Sequence, residues 1–494
     1  MGPQTAPTPH PALASNAGPD PRRFRALAVI AVAQLLVVLD ATVVTIALPS
    51  AQRALHISSA NRQWVVTAYT LAFGGLLLLG GRVADYLGRK RMFVLSLFGF
   101  AGASALAGFS QNTAMLFGAR ALQGAIAAVM APAALSLLTV TFTERHERAR
   151  AFAVYGATSG GGSAVGLILG GVLTQYVSWR WTLLVNIPIA VIAALLAMRL
   201  VSESRAERRG TYDIPGALAA TVGLSTLAYG FTRAQSGGWG ATTTLDCLGI
   251  GAGLLLVFVI LEWRARNPLL PLRIVGDRSR AGAYLASLLM GIALFATFLF
   301  LTFYFQLTLH YSAIKAGFAF LPFSVGIVIG ATLSSLALPR VGPRALLTAG
   351  FLVAATGFAL FTRVTPTGSF VLHLLPAEMI ASLGMGLVAG QLSSVALLEI
   401  DDQDAGVASA LVNTTQQIGG ALGIAFLSTI AASSSRHWFT LHRLLPGAQA
   451  TSAVRGYTSA FTVSAVLLGA AMGVSLLISG RRGGRNLPAE LEVA

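Results

Sequence analysis

Apolar residues in this chain run in long unbroken blocks separated by short polar stretches. There is no two-residue alternation of a half-buried strand and no one-sided helical stripe. The blocks fall at 26–48, 63–81, 92–110, 114–141, 150–176, 181–200, 213–231, 244–262, 281–306, 315–338, 345–362, 372–397, 406–430 and 456–479. Each has roughly the 20 residues that a helix needs to cross the hydrocarbon core. Water cannot satisfy backbone groups there, so each block must close its hydrogen bonds internally as a helix. A transmembrane barrel would show short alternating segments instead. The pattern predicts an all-α integral membrane protein with 14 transmembrane helices, and an even count puts both chain ends on one side.

Loop charge chooses that side. With cytoplasmic termini, the inner segments hold 24 Lys and Arg residues and the outer segments 9, while Arg120 lies inside a block. Cytoplasmic loops carry the excess of basic residues, so the expected location is the cytoplasmic membrane, multi-pass, with both termini inside. Residues 1–25 read as a disordered cytoplasmic tail rich in Pro, Ala and Thr, with no cleaved signal peptide, and residues 481–494 as a second cytoplasmic tail. A faint repeat divides the rest. Leu87-Gly88-Arg89-Lys90 resembles Val341-Gly342-Pro343-Arg344, and Gly162-x-x-x-Gly166 resembles Gly419-x-x-x-Gly423, at offsets of 254 and 257 residues. Two pseudo-symmetric six-helix bundles are therefore expected, 26–200 and 280–480, with residues 201–279 supplying a loop and two intervening transmembrane helices. Transporters are commonly built from such repeats, with the substrate site between them.

Composition narrows the chemistry. The chain is 55% hydrophobic and 11% charged, against about 25% charged in soluble domains. Its net charge of +16 sits in scattered inter-helix loops, which argues for membrane topology and against nucleic-acid binding. The single Cys247 excludes an internal disulfide and a cysteine metal cluster. No phosphate loop, His-Glu-x-x-His or Gly-x-Ser-x-Gly occurs, so no enzyme activity, cofactor or metal is expected. The acidic run Glu399, Asp401, Asp402 and Asp404 reads as a solvated cap for the next helix.

Three ionisable residues stand inside apolar blocks: Asp40, Arg120 and Glu378. A charge at that depth costs several kcal/mol, so such residues mark a pathway or a pair. At 1.5 Å per residue, Asp40 lies about 12 Å, and Arg120 and Glu378 roughly 9 Å, below the outer helix ends. Asp40 is expected to carry proton coupling with Arg120 as its modulator. A carboxylate's proton affinity rises on desolvation and falls beside a fixed cation, so motion that changes either can load and release a proton. Gln123 shares a helix face with Arg120, and Asn413 lies four residues from Gln417. With Glu378 they are the candidate substrate-cavity residues, although buried amides also serve to join helices. Phe295, Phe298 and Phe305 read as a packing stripe. Gly162, Gly166, Gly170 and Gly171 permit close helix approach.

The stretch Gly81-Arg-Val-Ala-Asp85-Tyr-Leu-Gly88-Arg89-Lys90-Arg91 is expected to fill the tight turn between helices 2 and 3. From the residues alone it also fits an ordinary charged turn. It resembles, however, the signature loop of the major facilitator superfamily. Leu39-Asp40-Ala-Thr42 through Pro49 is similar to the first-helix motif of the fourteen-helix drug:proton antiporters, and Trp64 to Tyr69 to their second helix. Arg120-Ala-Leu-Gln123-Gly124 with Pro132 resembles their fourth-helix motif. Gly162-x-x-x-Gly166 with Gly170-Gly171 resembles their antiporter motif in helix 5, and Trp179-Arg180-Trp181 and Asn186-x-Pro188 resemble the segment after that helix. Asn413 to Gly423 is similar to their helix 13. Leu167 stands where the family has proline, Thr45 where it often has asparagine, and Tyr86 where a basic residue is common. The resemblance implies export of lipophilic drug-like or antibiotic compounds in exchange for protons, by alternating access, in a protein that works as a monomer. Under it Gly81, Asp85, Gly88, Arg89, Lys90 and Arg91 act in conformational gating.

Overall fold

The computed structural model describes residues 23–205, 213–265, 268–398, 400 and 402–478. Of the expected tail 1–25, residues 1–22 lie outside the described residues, as does 481–494, while Arg23 to Arg25 already belong to the first helix. Thirteen helices among the described residues are long and apolar enough to cross a membrane. They are α1 (Arg23–Ala54), α2 (Trp64–Leu87), α3 (Arg89–Gly108), α4 (Thr113–Thr141), α5 (His146–Tyr176), α6 (Trp181–Leu200), α7 (Ile214–Gly237), α8 (Thr242–Arg264), α9 (Arg278–Thr308), α10 (Ala313–Phe361), α11 (Phe370–Ala396), α12 (Gly406–His442) and α13 (Ala448–Leu477). Side-chain oxygens cap several starts. Asn112 accepts from Met115 N, Asp213 from Gly216 N and Asp277 from Arg280 N, each at 2.9 Å, and such caps contribute about 1 kcal/mol apiece.

Hydrogen bonds tie the connections into two ends. At the terminal end, which carries Arg23 and Leu477, Arg89 N donates to Ser204 O at 2.9 Å and Arg23 pairs with Glu147. At the opposite, distal end, Arg180 Nη2 donates to Ser110 O at 2.8 Å and Tyr304 Oη to Thr365 O at 2.6 Å.

Three boundaries depart from the sequence expectation. The blocks 315–338 and 345–362 form the one span α10, interrupted by Gly342 at φ 79°, ψ 166°. Before Gly342, Gly326 and Gly330 approach Ser382 and Gly386 of α11; after it, Gly350 and Gly357 approach Val388 and Ala381. The first stretch thus runs parallel to α11 and the second antiparallel, so the chain reverses at Gly342. Likewise, the turn between α2 and α3 is not the whole of Gly81 to Arg91. Helix continues to Leu87 and restarts at Arg89, leaving Gly88 alone at φ 110°, a conformation glycine tolerates and bulkier residues do not. Finally, α12 continues well past residue 430, to His442. Polar residues end an apolar block, but they do not end a helix whose backbone can go on bonding to itself.

Packing is organised in two buried clusters. One gathers residues of α1 to α6, among them the buried Phe93, Phe100 and Leu137. The other gathers residues of α9 to α13, but it also takes in Val44 to Ala51, Val65, Val66, Leu116 and Ala119 from the distal parts of α1, α2 and α4. A small third cluster joins Leu71 of α2, Leu224 and Ala228 of α7 and Ala421 and Ala425 of α12. The first six helices are therefore sealed to the last five at the distal end. Hydrogen bonds at that end run from Gln306 Nε2 to Ile46 O at 2.9 Å and from Ile314 N to Gln175 Oε1 at 3.2 Å. Toward the terminal end several helix faces lack a packing partner. Gly156, Gly160 and Gly161 of α5, Gly390 of α11 and Gly406 of α12 have no neighbour within 4 Å of where a Cβ would sit.

Candidate functional site

Asp40 and Arg120 meet in the interior of the first bundle, both with 0% exposure. Arg120 Nη1 donates to Asp40 Oδ2 at 2.5 Å. Around this pair the fold builds a closed polar network. Arg120 Nη1 also donates to Gln123 Oε1 at 2.9 Å. Gln123 Nε2 donates to Asp40 Oδ1 at 3.2 Å and to Ser104 Oγ at 2.8 Å. Asn186 Nδ2 of α6 donates to the same Oδ1 at 2.9 Å. Arg120 Nε donates to Val65 O, in the first turn of α2, at 2.9 Å, and its guanidinium lies 4.5 Å from the Tyr69 ring centroid. Helical spacing explains the convergence. Arg120 and Gln123 are three residues apart on one face of α4, and Val65 and Tyr69 four apart on one face of α2, which packs against it. The arrangement compensates a buried anion with one cation and two amides. Arg120 Nη2 and Asn186 Oδ1 remain buried without a hydrogen-bond partner. No part of Asp40 touches solvent.

The other expected residues are distributed differently. Gln123 is spent inside this network, not displayed on a cavity wall. Glu378 is fully buried on α11, and neither carboxylate oxygen has a partner. The side chain of Asn413 is exposed on α12, while Gln417, one turn on, is half-buried and approaches Gly74 of α2. Phe298 packs its ring against Phe320 and Phe323, and Phe305 against Phe320, an aromatic cluster of α9 with the start of α10. The α5 glycines bring that helix onto α1: a Cβ on Gly166 would collide with the Thr42 hydroxyl. Gly171 instead faces Ala313 and Ile314 of α10, across the distal seal.

In the signature stretch, Arg89 Nε bonds Asp85 Oδ1 at 2.7 Å, an i,i+4 pair spanning the Gly88 turn. Gly81 packs on Pro132 of α4. Lys90 Nζ donates to Met198 O at 2.8 Å. The Glu203 carboxylate accepts from the backbone N–H groups of Lys90 at 3.0 Å and Arg91 at 3.1 Å, where the α3 N-terminus favours an anion. Sequence reading missed Glu203, because nothing local marks a residue 113 positions away as a cap. It also missed Asn186 as a partner of Asp40 and Ser104 as the acceptor that holds Gln123. The signal for Asn186 was present, an amide within an apolar block. Asp404 is not a solvated cap: it is 8% exposed and bonds Arg273 Nη1 through Oδ2 at 2.8 Å. Glu399, Asp401 and the side chain of Asp402 lie outside the described residues.

Comparison with known proteins places the chain among transporters. A family model described as Major Facilitator Superfamily matches residues 30–424. The puromycin resistance protein of Streptomyces alboniger is 47% identical over 467 residues, covering 94% of this chain and 93% of that protein. The cephamycin export protein of Amycolatopsis lactamdurans is 40% identical over 414 residues, covering 83% and 85%. A multidrug efflux pump of Mycolicibacterium smegmatis is 31% identical over 461 residues, covering 93% and 91%. Among solved structures, a bacterial homologue of the human lysosomal transporter Spinster, in an inward-facing and unoccupied conformation, has a TM-score of 0.65 at 16% identity. It covers 93% of this chain and 98% of that one, a likeness of fold alone.

Proposed function

Since the chain belongs to the Major Facilitator Superfamily and is a transporter, not an enzyme, we propose that it exports lipophilic, antibiotic-like compounds across the cytoplasmic membrane in exchange for protons. The observation that carries the export reading is the 47% identity, over nearly the full length of both chains, to a puromycin resistance protein. The cephamycin export protein and the efflux pump point the same way.

In this reading the chain crosses the membrane fourteen times, α10 contributing two crossings hinged at Gly342, and both termini are cytoplasmic. Residues 26–200 and 280–480 are two rocking bundles, and α7 and α8 lie between them. The distal end is then the outer one. Sealed there and open at the cytoplasmic side, the protein is in an inward-facing state. Asp40 is the coupling carboxylate and Arg120 its modulator. Their network is supported by complete burial and by the commitment of both carboxylate oxygens to donors. Glu378, Asn413 and Gln417 meet the substrate. Gly81, Asp85 and Gly88 to Arg91 act in the conformational change. The unit of function is the monomer.

A susceptibility panel in a pump-deficient host, followed by transport of the hits into everted vesicles, tests the whole reading. Accumulation against a gradient that collapses on adding a protonophore is expected. Uphill accumulation indifferent to protonophore would refute proton coupling, and a panel with no protected compound would refute drug export.

A further inference from the structure

We infer that Arg62 is a positioning residue that latches the distal gate, and that the Arg120–Val65 hydrogen bond makes this latch answer to the state of Asp40. The inference rests on the alternating-access reading above.

Arg62 lies in the connection before α2, at the distal end. Its guanidinium sits 3.6 Å from the centroid of the Phe303 ring on α9 and lies close to the Tyr457 hydroxyl of α13. Both partners belong to the second bundle. A planar cation over an aromatic face, with one edge left free to donate, is a geometry that arginine supplies and lysine reproduces only in part. The next residue, Gln63, is 1% exposed and donates from Nε2 to Thr232 Oγ1 of α7 at 3.0 Å. Within one turn comes Val65, whose carbonyl accepts from Arg120 Nε at 2.9 Å. The distal end of α2 is thus gripped from three directions: by the second bundle, by the intervening helix, and by the arginine that neutralises Asp40.

This geometry joins the ion pair to the gate through one short rigid segment. The groups of opposite or titratable character around Asp40 are Arg120 of α4 and the Tyr69 phenol of α2. Asn186 of α6 and Gln123 of α4 are neutral. While Asp40 is an anion, Arg120 is held where its Nε reaches Val65. Neutralising Asp40 leaves a buried guanidinium without its counter-ion, an arrangement that is relieved only by moving. That movement withdraws the bond to Val65 and frees the first turn of α2, and with it Arg62. Neutralising Asp40 thereby loosens the gate without any direct contact between Asp40 and the second bundle.

Spin labels on cysteines replacing Arg53 on α1 and Lys315 on α10, in a Cys247→Ser background, report the width of the distal end of purified protein. The unsubstituted gate should give a short, narrow distance distribution. Arg62→Ala should shift it to longer distances, Arg62→Lys should restore most of the short population, and Phe303→Leu should reproduce the shift from the other side. Asp40→Asn should shift the distribution in the same direction, and adding Arg62→Ala to it should add little. A distribution unchanged by both Arg62→Ala and Phe303→Leu overturns the latch. A shift with Arg62→Ala but none with Asp40→Asn overturns the link to the ion pair. The distances need neither substrate nor a proton gradient, so they stand or fall apart from the export reading.

Discussion

Replacing Asp40 with asparagine removes one charge and almost no volume, and the network around it sets the consequence. Asp40 accepts from Arg120 on one oxygen and from Gln123 and Asn186 on the other. An asparagine that keeps its oxygen toward Arg120 turns its amide nitrogen toward two N–H donors. Asn186 can relieve one conflict by flipping, because its own Oδ1 is unpartnered. Gln123 cannot, because its Oε1 and Nε2 are held by Arg120 and Ser104. Arg120 meanwhile loses its counter-ion, and breaking a buried pair this way costs about 3–5 kcal/mol. Asp40→Asn should therefore insert with native topology but lose several kcal/mol of stability. An Asp40→Asn/Arg120→Gln double variant should recover part of it. Transport gives the sharper readout. A gradient of one pH unit and 100 mV supplies about 1.4 plus about 2.3 kcal/mol per proton. One proton per neutral substrate thus supports an accumulation of roughly 500-fold. In proteoliposomes Asp40→Asn should fall to no accumulation while downhill exchange survives, and substrate-induced proton release from purified protein should vanish. Arg120→Lys should keep part of the function and Arg120→Ala little. If Asp40→Asn still pumps uphill under a pH gradient, the reasoning fails and Glu378 becomes the first candidate for coupling.

Glu378→Gln should weaken export of cationic compounds more than of neutral ones, since an unpaired carboxylate with both oxygens buried gains most from a positive partner; equal loss in paired transport assays would point to folding or proton handling. Asp85→Asn removes the charge from the 2.7 Å pair with Arg89 across the Gly88 turn and should slow turnover several-fold while equilibrium binding of a fluorescent substrate stays nearly intact; lost binding with normal turnover would contradict a gating role. Reporter fusions after Gly210 and Arg485 should both score cytoplasmic and one after Ser236 external, and an external signal at Arg485 would remove the fourteen-crossing topology.

The helical class and the membrane setting were legible in the sequence because a bilayer leaves an apolar block of this length few options. That Asp40 and Arg120 need a partner was legible too, since a charge inside such a block demands one, and the two are paired in the structure. Helix ends were less so. The signature stretch, polar as it is, proved to be the last turns of α2, one glycine and the first turn of α3. Two expected crossings appeared as one span because Gly342 bends the chain with no intervening loop. Periodicity assigned Gln123 to the face of Arg120, but only packing decided that this face turns inward on Asp40, Ser104 and Asn186 and so consumes the amide. Glu203 over the start of α3, and Arg62 across the distal seam, depend on partners more than a hundred residues away. A sequence fixes which side of its own helix a residue occupies. The rotation of that helix against its neighbours is set by the fit of all of them together, and that fit exists only in the tertiary structure.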